Sequence, residues 1–107
     1  MSKKNLTEIE LKRRQPANIN AEQILLGAIL INNNHIEQVN EFLSAAHFYE
    51  VLHQKIYRAI LILIEKNIAA SPITIRSMLE NEPLYNEAGG NEYIIKLTTM
   101  AMVIINP

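Results

Sequence analysis

Between residues 52 and 66 the sequence leaves little choice of local structure. Leu52, Ile56, Ala59, Ile60 and Leu63 recur at three- and four-residue intervals, the spacing that gathers side chains on one helical face. Residues 59–64 are apolar on every side, so this stretch has to be surrounded by the rest of the molecule. Six apolar residues would also suit a buried strand, but the helical period upstream and the ending Glu65-Lys66-Asn67 favour helix. A chain of 107 residues with 49% apolar content supplies one core. A single domain wrapped around this central helix is therefore expected.

The flanking segments carry their own boundary signals. Asn20 with Gln23 three residues on reads as a capping box, and Ile19 with Ile24 as a hydrophobic staple, for a first helix over residues 21–31. Asn34 and Glu37 repeat the signal ahead of Ile36, Val39 and Leu43, a second, amphipathic helix. Residues 44–49 read as a short turn or helical link. Thr74 is expected to cap a short helix over residues 75–81 that stops before Pro83, and residues 84–88 read as irregular. Gly89-Gly90 supplies a tight turn, and Asn91 caps a last helix bearing Tyr93, Ile94, Leu97 and Ala101. No period-two alternation is sustained. The expected fold class is all-α, a small orthogonal bundle of about five to six helices. Residues 1–16 are set apart as a flexible polar leader, with residues 17–107 as the helical domain.

Charge and composition exclude several function classes. The formal charge of −1 is divided unevenly. Lys3, Lys4, Lys12, Arg13 and Arg14 against Glu8 and Glu10 make the first fifteen residues basic, and the body is acidic. Its five cations, Lys55, Arg58, Lys66, Arg76 and Lys96, are scattered among nine glutamates, whereas a nucleic-acid surface concentrates positive charge on one face. A helix-turn-helix reading, with residues 75–81 as recognition helix and Gly89-Gly90 as a wing, offers only Arg76 to meet bases or phosphates. With no cysteine there is neither a disulfide framework nor a thiolate metal site. The apolar run over residues 59–64 is too short to span a bilayer, and a soluble, cytoplasmic protein is expected.

No constellation for chemistry is found. A phosphate-binding loop needs glycines closing on Lys and Ser or Thr, and none of Gly27, Gly89 and Gly90 is followed by Lys. His35, His47 and His53 lack metal-ligand spacing; His53, at the start of the central helix, is expected to bond the preceding loop and pack on Phe48 or Tyr49. The glutamates read as solvated faces. No catalytic, cofactor-binding or metal residue is expected. Met100, Met102, Val103, Ile104 and Ile105 form an apolar, adaptable end suited to contact with a partner or with another copy.

In order along the chain, Pro16-Ala17-Asn18, Ala21-Glu22-Gln23 and Leu26-Gly27-Ala28-Ile29-Leu30 resemble the opening of bacterial replicative DNA helicases of the DnaB family. Phe48-Tyr49, His53, Ile56-Tyr57, Pro72-Ile73, and Gly89-Gly90 ahead of Tyr93 continue that resemblance at similar spacing, so it covers residues 16–107. Thr74 departs from an aspartate and Ile36 from a position often aromatic. The resemblance implies an N-terminal domain of the collar of a ring-shaped hexamer, in contact with other helicase protomers and recruiting primase. It also implies that a helical hairpin, a linker and a RecA-like ATPase domain follow. None of these lies within the 107 residues, so the chain reads as a fragment, expected to self-associate weakly at most. ATP and Mg are expected only for the parent helicase, which would also make the contact with DNA.

Overall fold

The computed structural model describes residues 16–41 and 43–105. The leader expected over residues 1–16 lies outside them except for Pro16, which opens a helix instead. In chain order the elements are α1 (Pro16–Ile31), α2 (His35–Val39), a 3-10 turn (Ala45–His47), α3 (Val51–Glu65), α4 (Pro72–Leu79), α5 (Pro83–Glu87) and α6 (Asn91–Ile105). Among the described residues there is no strand, and the all-α helical bundle is as expected.

Helix α3 runs through the middle. Ile56, Tyr57 and Ile60 are fully buried on it, and around them close Leu26 and Ile29 of α1, Ile75 of α4, and Ile94 and Leu97 of α6. Each such aliphatic side chain contributes about 1.5–3 kcal/mol on leaving water, so these few residues dominate the stability of the bundle. The α3 end is closed by a Schellman motif: the Ile68 N–H donates to Leu63 O at 2.8 Å and the Asn67 N–H to Ile64 O at 2.9 Å, with Asn67 at φ 60°. Asparagine tolerates this left-handed geometry better than most residues, so the ending Glu65-Lys66-Asn67 is a true stop.

Several expected boundaries are corrected. Helix α1 starts at Pro16, not at residue 21, because proline at the first helical position has a suitable φ and lacks only an N–H that would have no helical partner there. Asn20 therefore lies a turn inside the helix and is not its cap. Asn34 has helical backbone angles and makes no side-chain cap bond. Its N–H instead donates to Asn32 Oδ1 at 3.0 Å, and α2 ends at Val39, leaving Leu43 beyond it. Ser71, not Thr74, caps α4: the Thr74 N–H donates to Ser71 Oγ at 3.3 Å, and the Ser71 N–H to Thr74 Oγ1 at 2.8 Å. Pro72 then takes the first turn, and the helix ends at Leu79, short of residue 81.

The stretch over residues 84–88, expected to be irregular, is largely helical. Pro83 stands at the start of α5, and the Glu82 carboxylate accepts the Leu84 N–H at 3.3 Å. A 2.7 Å ion pair from Lys55 ties Glu82 to α3, and this cation holds its carboxyl below the usual range. The Gly89-Gly90 turn is as expected, both residues having positive φ. Gly90 N–H donates to Tyr85 O at 2.8 Å and so closes α5. Asn91 begins α6 from within, and its Oδ1 is buried without a hydrogen-bond partner, so it does not cap the helix as expected.

Candidate protein-interaction surface

Two features of α6 shape this surface, its close crossing with α1 and its apolar end. At Gly27 the α1 backbone meets α6 so closely that an added Cβ would fall 2.0 Å from Leu97 O and 3.0 Å from the Ala101 Cβ. Gln23 meets Tyr93, and Gly27 meets Leu97, so the contacts advance together and the two helices run in the same direction. Glycine inside a helix costs about 1 kcal/mol against alanine. A glycine in mid-helix, at Gly27, is the sequence signal for this crossing.

Ala101 is the last buried residue of α6. Beyond it Met102, Val103, Ile104 and Ile105 are exposed by 52%, 64%, 61% and 46%. Successive residues turn by about 100° around a helix, so these four present apolar surface on all sides. Met100 is half-buried and lines a groove of about 510 Å³ with Ile24, Ile95, Val103 and Ile104, edged by Glu92 and Lys96. The structure thus brings the five sequence-predicted contact residues together at one helix end, and adds Ile24 and Ile95. In the sequence Ile24 reads as a staple partner, and Ile95 is a half-exposed isoleucine beside buried Ile94.

Beneath the neighbouring face lies a polar network missed in the sequence. His53 Nδ1 is 2.8 Å from Glu22 Oε1, and His53 Nε2 is 2.6 Å from the Tyr93 hydroxyl. Gln23 Nε2 donates to that hydroxyl at 3.1 Å. The carboxylate can only accept, so a neutral imidazole with its proton on Nδ1 satisfies each partner, and the tyrosine donates to Nε2. Glu22 also accepts the N–H groups of Tyr49 at 2.6 Å and Glu50 at 3.3 Å. The loop entering α3 is therefore held by a carboxylate on α1. His53 packs edge-on against Phe48 as expected, with ring centroids 6.4 Å apart. Its hydrogen bonds, however, reach α1 and α6 and not the preceding loop. Burial pushes the Tyr93 hydroxyl above its usual pKa, opposed by the Gln23 bond.

Carboxylate, imidazole and hydroxyl in line resemble a proton relay, but His53 is fully buried and both its nitrogens are engaged. A substrate has no access to the imidazole ring. What this arrangement does is pin α1, α3 and α6 together. Among the described residues no group of three or more His, Cys, Asp or Glu could hold a metal ion, and no helix is long and apolar enough to cross a membrane.

Comparison with known proteins supplies the context. A family model described as the DnaB-like helicase N terminal domain matches residues 14–106. The replicative DNA helicase DnaB of Rickettsia bellii (strain RML369-C) is 54% identical over 97 residues, which cover 91% of this chain and 20% of that protein. The Rickettsia felis (strain ATCC VR-1525 / URRWXCal2) helicase of the same name is 52% identical over 100 residues, covering 94% of this chain and 20% of that protein. The replicative DNA helicase DnaC of Bacillus subtilis (strain 168) is 34% identical over 101 residues, 94% of this chain and 22% of that protein. The chain thus spans about a fifth of the length of these relatives. No solved structure matches it. With the helical bundle and a match over nearly its whole length, the chain belongs to the family of DnaB-like helicase N-terminal domains.

Proposed function

We propose that this domain serves a replicative helicase as a non-catalytic module for assembly and docking. It contributes to the collar of a ring-shaped hexamer and receives primase or other replisome partners in the cytoplasm. ATP hydrolysis with Mg, strand separation and the contact with DNA belong to the rest of the helicase.

One observation carries this reading: α6 extends past its own core with apolar side chains on every side from Met102 to Ile105. Such a helix end gains by leaving water, against a partner, another copy or a further part of the same helicase. Covering a valine, isoleucine or methionine contributes about 1.5–3 kcal/mol, so these four side chains supply several kcal/mol against the cost of ordering the interface. The acidic body with scattered cations suits protein contacts better than phosphate contacts, and the relatives are named as replicative helicases.

Sedimentation of the domain with primase from the same cell tests this. A complex is expected, and V103E/I104E should abolish it while leaving the helical circular dichroism unchanged. A complex that survives the double substitution would place docking on another face.

A further inference from the structure

Beside the start of α1 an open groove of about 840 Å³ runs between the loop entering α3 and helix α5. Ile19 of α1, Val51 and Leu52 of α3 and Leu84 of α5 give it an apolar lining. Among the described residues that line it, the charged ones are Glu50 and Glu87, with no Lys or Arg. Val51 stands about half-exposed there although it begins the central helix. An apolar floor edged by the carboxylates of Glu50 and Glu87 favours an occupant that combines apolar and cationic side chains.

The chain carries such a segment in the right place. Residues 1–15 hold Lys3, Lys4, Lys12, Arg13 and Arg14 against two glutamates, with Leu6, Ile9 and Leu11 between them. They join α1 at Pro16, three residues and so about 4.5 Å along the helix axis from Ile19 in the groove wall. At about 3.3 Å per residue, Lys12, Arg13 and Arg14 lie within about 14 Å of Pro16, and Ile9 within about 24 Å. A tethered segment meets its own groove at an effective concentration in the millimolar range, ahead of a dilute competitor of equal affinity.

We propose that this groove is the docking site of the chain's own basic leader, residues 1–15. Lys12, Arg13 and Arg14 meet Glu50 and Glu87, and the leader's apolar residues cover the floor. The site is separate from the end of α6 and does not rest on the function proposed for it.

The test follows the amide resonances of Val51, Leu84 and Ala88 in the whole chain and in a K12Q/R13Q/R14Q variant. That variant alters none of the described residues. All three resonances are expected to differ between the two proteins. In the unaltered chain they should move towards the variant's positions at about 1 M salt, where the Debye length is about 3 Å. Pairing K12E/R13E/R14E with E50K/E87K should restore the salt-sensitive shifts. The Glu50 side chain makes no cap bond to α3, so its exchange leaves the helix start intact. Identical resonances in the unaltered chain and the neutralised variant would overturn the proposal. So would shifts that vanish on dilution, which would mark docking between molecules.

Discussion

At His53 every valence of a buried imidazole is engaged, and the neighbouring residues are fixed by that requirement. Glu22 accepts from Nδ1 and also receives two loop N–H groups, while Tyr93 donates to Nε2 and accepts from Gln23. The ring's place against Phe48 was legible in the sequence, because His53 lies only five positions downstream at the start of a helix. Its hydrogen-bond partners were not, since they lie 31 and 40 residues away and a local pattern carries no information on such pairs. The same network gives a pH dependence. Burial raises the pKa of Tyr93, and also of Tyr57 and Tyr85, so the folded state holds these phenolic protons more tightly than the unfolded chain does. The corresponding stability is complete below the unfolded value of about 10 and is lost as pH rises through the folded values. Urea unfolding at increasing alkaline pH should show falling stability, with a shallower fall in Tyr93→Phe. At neutral pH that variant should be less stable by about 1–3 kcal/mol, because His53 Nε2 loses its donor. An unchanged alkaline slope in Tyr93→Phe would show that Tyr93 is not among the groups responsible.

Among the elements, the crossing of α1 and α6 depends on one missing side chain. A Cβ at Gly27 would overlap the carbonyl of Leu97, which is backbone and has nowhere to rotate. Gly27→Ala should therefore destabilise the domain by about 1–3 kcal/mol despite alanine's better helix propensity, measured as a lower urea midpoint. A gain in stability would mean that the helices separate at little cost. The long helices were legible because their apolar residues repeat over several turns, as at Leu52, Ile56, Ala59, Ile60 and Leu63. The starts were less so. Asn20, Asn34, Thr74 and Asn91 all suit a cap, yet Pro16, Ser71-Pro72 and Pro83 mark the starts of α1, α4 and α5. In the sequence Pro83 reads as a stop and Pro16 as the end of the leader, yet Pro16, Pro72 and Pro83 each act as a first helical residue. No local pattern points to Asn33, whose partner Ala70 lies 37 residues away. In the fold its side chain donates to Ile29 O and Ala70 O and accepts the Ala70 N–H, tying the end of α1 to the loop before α4.

For the whole molecule, the contrast is between an interior with its polar groups largely paired and an α6 end left apolar. The apolar end of α6 was legible because its five residues are consecutive or nearly so, and four of them lie past the last buried position, Ala101. Ile24 and Ile95 were not, because their part in the same groove depends on how α1 and α6 cross. Membership of the helicase N-terminal domain family agrees with a module that contributes contacts to a larger machine. Hydrogen exchange on the domain with and without primase tests the central claim most directly. Slower exchange of the amides over residues 99–105 in the presence of primase is predicted, and protection confined to other helices, or none at all, would contradict it.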